Sequence, residues 1–172
     1  VPLITAERGL SGEIGKAKWQ VLSPSKTAAE AEDSNDGSIT MLWHFDDFKL
    51  LTLADLGEKG QQRLAAELAS WWQADGLPLV LKVAHHGSAD QYPEMKAQVG
   101  DSDAQYPELL EELRPEVALV SVGRDNGYGH PTRRTLNTLA RAGANILRTD
   151  LLGSIALVRK EGVFSLSKSG AS

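Results

Sequence analysis

The sequence predicts an α/β layered domain built on a mixed sheet. Three observations predict it: a pair of strand-like runs joined by a tight turn in the first third, an amphipathic helix leading into an apolar run in the middle, and a strand–helix–strand alternation towards the end.

In order, "AKWQVLSPS" (17–25) reads as a strand ending at a turn, and "KTAAEAEDSNDGS" (26–38) has the small, acidic, polar composition of an exposed loop. "ITMLWHF" (39–45) and "FKLLTLAD" (48–55) are β-rich runs separated by Asp46–Asp47, the pattern of a hairpin. "EKGQQRLAAELASWWQADG" (58–76) spaces Leu64, Leu68 and Trp71 or Trp72 as one helical face, with Gly76 as its stop. "LPLVLKVAHH" (77–86) reads as a buried strand. "ADQYPEM" (89–95) and "DAQYPEL" (103–109) nearly repeat each other, so residues 89–105 are expected to be a surface insertion. "YPELLEELR" (106–114) is helical, "EVALVSVG" (116–123) a buried strand and "RDNGYGHP" (124–131) a turn-rich loop. "TRRTLNTLARAG" (132–143) places Leu136, Leu139 and Ala140 on one helix face. "ANILRTD" (144–150), "GSIALVRK" (153–160) and "GVFSLSK" (162–168) close the chain as strands.

Composition narrows the function classes. With 172 residues and 18.5 kDa the chain suits a single domain, 1–172, with a real core. A formal charge of -5 argues against a broadly basic nucleic-acid grip, though not against a nuclease that uses local cations. The absence of cysteine removes disulfides, thiolate metal sites and cysteine nucleophiles. No run of 18 apolar residues occurs, so no segment reads as a membrane-spanning helix. The chain opens on Val1 rather than Met, which suggests a processed or excised piece of a longer product.

The candidate chemistry lies at strand ends: Asp55 after "KLLTLA", His85 and His86 after "LVLKVA", and His130 after "ALVSVGRDNGYG". Open α/β sheets place sites at such ends, and histidine with carboxylate is a ligand set for Zn²⁺ or Mn²⁺. Each has a plainer alternative. Asp55 could cap the helix that starts near Glu58. His85 and His86 cannot both face inward on a continuing strand, because neighbouring side chains alternate. His130 could simply neighbour a helix N-cap, with Pro131 at the first helical position. Asp36 in "NDGS" could be a turn residue. His44 fits a strand face without chemistry, and Arg133–Arg134 a solvated helix face.

The ordered set "NDGS", "LLTLADLGE", "LKVAHHGS", "SVGRDNGYGHP" and "LRTDLLGSI" resembles the metallo-β-lactamase-like C-terminal domain of the competence DNA-uptake channel family ComEC, from about Trp19 to Phe164. The resemblance implies an αββα sandwich with mixed sheets. By position, Asp55 matches a carboxylate that bridges two metal ions and His130 a ligand of the second. His85 and His86 match paired imidazoles at the site rim, where one either ligates metal or stabilises an oxyanion. Asp36 matches an aspartate close to the site. The implied cofactor is a dinuclear Zn²⁺ or Mn²⁺ centre able to generate hydroxide near neutral pH. The implied partners are DNA, as a single strand or the strand being degraded, and the channel portion of the same polypeptide. The implied setting is the outer face of the cytoplasmic membrane.

Two departures stand out. Leu53–Ala54 precede Asp55 where the family usually has Thr-Gly. The superfamily's H-x-H-x-D-H motif is absent from these 172 residues, so the fold is expected to be incomplete on its N-terminal side and the chain a poor catalyst alone. The competing expectation is a non-catalytic module that guides DNA or contacts a channel subunit. A doubly wound nucleotide-binding domain is disfavoured, because no glycine-rich phosphate loop follows a strand.

Overall fold

The computed structural model describes residues 4–25, 35, 37–88 and 107–168. Asp36 and the expected insertion 89–105 lie outside the described residues. Seven strands form one sheet in sequence order: β1 (Ser11–Ile14), β2 (Ala17–Ser23), β3 (Thr40–His44), β4 (Lys49–Thr52), β5 (Leu79–Lys82), β6 (Val117–Val120) and β7 (Asn145–Arg148). The first four run antiparallel; β4, β5, β6 and β7 are parallel. The mixed α/β character follows from the sequence's two halves, since tight turns can only reverse a strand whereas helices carry the chain back for parallel pairing.

The connecting helices are α1 (Glu58–Ala66), α2 (Leu68–Trp71), α3 (Pro107–Leu113), α4 (Arg133–Arg141) and the single turn α5 (Thr149–Leu152). A hairpin, β8 (Ile155–Lys160) and β9 (Val163–Lys168), makes a separate two-stranded sheet.

The register places Leu42, Leu51, Leu81, Ala118 and Ile146 in one row across five strands. With Leu56, Leu64 and Trp71, with Leu109, Leu110 and Leu113 of α3, and with Leu139 of α4, that row builds the core. The alternate row holds Trp43, Leu50, Val80 and Val117. The β8–β9 hairpin meets the sheet by an edge-on contact of Phe164 with Phe48 at 5.7 Å and an Arg159–Asp47 ion pair at 3.6 Å. Val158, Val163 and Leu166 of this hairpin remain exposed.

Three local expectations are corrected. The helix expected over 58–76 breaks at Glu67 and stops at Trp71. Beyond that stop, the fully buried Lys49 ammonium holds the Gln73 carbonyl, pairs with Asp75 at 2.7 Å and lies 4.2 Å from the centre of the Trp72 ring. These contacts need an extended chain there, so tertiary pairing overrides the helical period. The buried face of α4 is Thr135, Thr138 and Leu139, while Ala140 is exposed. Both threonines satisfy their hydroxyls against backbone carbonyls, Thr135 on Ser88 and Thr138 on Arg134, which is what permits their burial. Strand β1 adds an edge before the predicted first strand, with Gly12 directly opposite Trp19, whose ring covers the place a Cβ would take.

Candidate functional site

Strands β4, β5 and β6 are parallel neighbours, so their C-terminal ends share one rim. The pairing runs one step past the strands, with Leu53 N–H donating to Lys82 O and Val83 N–H to Leu119 O. Asp55, His85–His86 and the loop to His130 leave from this rim, which is why residues far apart in sequence meet.

Asp55 does not cap the following helix: the N-cap is Gly57, without a side-chain cap. It lies instead 3.7 Å from His86 Nε2. His130 precedes a helix that starts at Arg133 with Thr132 as N-cap, its hydroxyl accepting from Thr135 N–H; Pro131 therefore lies before the cap rather than at the first helical position.

The expected alternation of His85 and His86 fails for a specific reason. The strand ends at Lys82, and residues 84–87 form a tight turn in which His85 (φ 45°), His86 (φ 55°) and Gly87 (φ 82°) are all left-handed. Consecutive left-handed residues abolish the strand's two-residue period, so both imidazoles reach the same rim. His85 N–H donates to Ala54 O at 2.9 Å, tying the turn to the residue before Asp55.

His86 Nδ1 lies 2.7 Å from the Ser121 carbonyl. A carbonyl only accepts, so Nδ1 carries a proton, and Nε2 lies on the side of Asp55. The ring of His85 lies 6.4 Å from that of His86 and 6.1 Å from that of His130. Asn126 fixes His130 on both sides: its Oδ1 accepts from His130 N–H at 2.9 Å, and its Nδ2 donates to the carbonyls of His130 and Gly123. Tyr128 stacks on the His130 ring at 5.8 Å and 12°.

Gly87 joins the two histidine-bearing segments. A Cβ there would lie 2.6 Å from Pro131 Cβ, and Gly87 O accepts from Thr132 N–H at 3.0 Å. Lys82, half-buried on the same rim, donates to Val83 O at 2.9 Å. Burial pushes its ammonium below the usual lysine range, and the Asp55 charge opposes that shift.

The fit to a metal ion is incomplete. The His86 Nε2–Asp55 distance is too long for a hydrogen bond and near the ~3.4 Å that two donors keep around one tetrahedral ion. Yet among the described residues no group of three or more histidine, aspartate or glutamate side chains could hold a metal. The expected Zn²⁺ or Mn²⁺ centre does not close on Asp55, His85, His86 and His130 alone. Lys82, Asn126, Tyr128 and Gly87 are the site residues that sequence reasoning missed; the signal was available, because all four lie inside "LKVAHHGS" and "SVGRDNGYGHP".

A cleft of about 480 Å³ lies at the opposite end of the sheet, lined by Gln20, His44, Trp71 and Trp72 among others. Its charges are matched, Lys18 facing Glu13 at 3.9 Å. His44 is held below its ordinary pKa by burial and by Lys49, among other charges.

The described residues thus define an α/β domain with a carboxylate–imidazole cluster at the ends of three parallel strands. Its relatives are competence and recombination proteins. The chain is 29% identical to ComE operon protein 3 of Bacillus subtilis (strain 168), over 97% of this chain and 19% of the relative. It is 30% identical to competence protein ComA of Neisseria gonorrhoeae over 62% of this chain and 13% of that protein. It is also 30% identical to recombination protein 2 of Haemophilus influenzae over 80% and 15% respectively. The chain therefore spans a fifth or less of the length of these relatives. No protein-family model matches it.

Proposed function

We propose that this chain is a hydrolytic domain of a competence DNA-uptake protein, acting on phosphodiesters with a divalent metal, Zn²⁺ or Mn²⁺. The observation that carries the reading is the convergence of Asp55, His85, His86 and His130 at one sheet rim, with His86 Nε2 and Asp55 already at donor–donor separation. In this reading Asp55 and His130 are metal ligands, and one of His85 and His86 ligates or stabilises the oxyanion. The remaining donors come from residues outside those described. The metallo-β-lactamase-like αββα sandwich belongs to the same proposal, supported by a helix-covered sheet beside a hairpin that leaves Val158 and Val163 exposed. So does attachment to the channel portion of a membrane protein, with this domain on its outer face. No helix among the described residues is long and apolar enough to cross a membrane.

A second reading, a non-catalytic module that guides DNA, is favoured by one observation: among the described residues no three donors at this rim are placed so as to hold one metal ion. The deciding experiment is hydrolysis of a phosphodiester oligonucleotide with Mn²⁺ or Zn²⁺. The chain would be assayed alone and joined to a segment that supplies H-x-H-x-D-H. Turnover by the joined protein that disappears in Asp55→Ala and His130→Ala supports the hydrolase. Unchanged turnover in either variant removes the site assignment, and no turnover at all leaves the guiding module.

A further inference from the structure

The segment "LRTDLLGSI" has supplied no residue to the site described above. Its Thr149 follows β7 directly and opens the single turn α5. The β6–β7 ladder ends at the pair Val120 and Arg148, so strand pairing no longer fixes the backbone of residues 121 and 122. Thr149 holds that backbone with its side chain instead. Its hydroxyl accepts from Val122 N–H at 2.7 Å and donates to Val122 O at 2.8 Å.

The Val122 N–H and the Ser121 C=O belong to one peptide group. That group is planar, with its N–H and C=O pointing in opposite directions, so holding one end aims the other. The aimed end is the Ser121 carbonyl, which accepts from His86 Nδ1 at 2.7 Å. One rigid plate thus joins Thr149 on one side to His86 on the other, and hydrogen bonds chained through an amide polarise and strengthen one another. His86 relies on this bond more than a core side chain would, because its side chain is 48% exposed.

We propose that Thr149 is a positioning residue for His86. Through the peptide between Ser121 and Val122 it keeps the proton of the neutral imidazole on Nδ1, and the free electron pair on Nε2, the nitrogen beside Asp55. A free imidazole in water carries its proton mainly on Nε2, so the opposite tautomer has to be imposed by the bond that Nδ1 makes. The inference rests on the hydrolase reading only for the use of that electron pair, which a metal ion or a proton would take.

The test is the nitrogen NMR spectrum of the histidine rings in the isotope-labelled chain, without metal, at about pH 8.5, above the ordinary histidine range. The two neutral tautomers differ in their ring-nitrogen shifts, and His86→Gln identifies the His86 signals. Wild-type His86 should be mainly the Nδ1–H form. Thr149→Val, which keeps the shape and removes the hydroxyl, should move the tautomer ratio towards Nε2–H about fivefold, the worth of one hydrogen bond. His44, at the opposite end of the sheet, should keep its own ratio. Thr149→Ser should retain the wild-type ratio. Should Thr149→Val not fold, Thr149→Cys, whose thiol is a weak hydrogen-bonding group, is read in its place with the same expectation. A wild-type His86 that is mainly Nε2–H would overturn the inference, as would a change below about twofold on removing the hydroxyl. So would an equal change in Thr149→Ser, which marks a packing role. Because no metal or substrate is present, absence of hydrolysis in the metal-supplemented assay removes the hydrolase reading and leaves the positioning of His86 standing.

Discussion

Gly87→Ala tests the contact that brings the two histidine segments together. The substitution acts twice. At φ 82° an L-residue costs about 1–2 kcal/mol, and the new Cβ would lie 2.6 Å from Pro131 Cβ and 3.1 Å from Pro131 Cα. Part of that clash is with backbone, so it cannot be relieved by a rotamer change, and overpacking of this kind costs about 1–3 kcal/mol. A less flexible unfolded chain returns up to ~1 kcal/mol, which leaves a net loss of about 1–5 kcal/mol. Gly76→Ala is the control: its φ is 79°, but nothing lies within 4 Å of the added Cβ, so the backbone effect stands alone at about 1 kcal/mol. Both would be measured by urea unfolding followed through the four tryptophans, with comparable slopes required. The difference between the variants isolates the Pro131 contact. If they lose the same stability within about 0.5 kcal/mol, Gly87 and Pro131 do not clamp the site and the packing argument fails.

Ala54, at φ 49°, occupies a position where glycine is favoured, so Ala54→Gly should stabilise the protein by up to about 1 kcal/mol, seen as a higher urea midpoint. Asp75→Asn should destabilise by about 1–2 kcal/mol, because it removes the anion from the buried Lys49 ammonium; the value is reduced because a third of the Asp75 side chain stays in water. Burial would raise the Asp75 carboxyl, but hydrogen bonds from Lys49 and from Leu77 N–H, with the Lys49 charge, hold it below its ordinary value. Its contribution is therefore present above about pH 4 and lost as pH falls through the lower folded value, and the variant should lack that acid-side loss. Burial lowers the Lys82 pKa in the folded state, so the unfolded chain binds more protons and wild-type stability should rise with pH up to about 10.4. Lys82→Met should flatten that rise, and parallel pH–stability curves for the two proteins would refute it.

The strand-end residues were legible because position along a strand is a local property. Apolar runs ending at Leu53, Val83 and Val120, followed by Asp55, His85–His86 and the His130 loop, require parallel neighbours to share a rim. The stop of the helix at Trp71 was not legible, because its cause is Lys49 reaching Gln73 and Asp75 from another strand. Thr135 and Thr138 looked like the polar side of α4 because their burial depends on partners that periodicity cannot see, above all Ser88 O. Tyr128 and Asn126 were inside a motif already singled out for its histidine; what they do depends on loop hydrogen bonds rather than on spacing.

The strained backbone at the rim supports the site proposed there. Among the described residues the non-glycine positions at positive φ are Ala54, His85, His86, Arg114 and Glu161. Three of these five surround the cluster, and each costs on the order of 1 kcal/mol. Such strain persists only where neighbouring contacts hold it, and here they do. His85 N–H binds Ala54 O, His86 binds Ser121 O, and Gly87 is locked between Pro131 and Thr132 N–H. A surface turn with no role could relax by exchanging Ala54 and one histidine for glycine. The left-handed run cancels the alternation of the two imidazoles, so both side chains reach one rim. His85→Gly therefore separates backbone from chemistry: it should keep or raise stability while lowering phosphodiester turnover in the joined protein. A variant that is more stable and equally active would show that the strained turn serves no site.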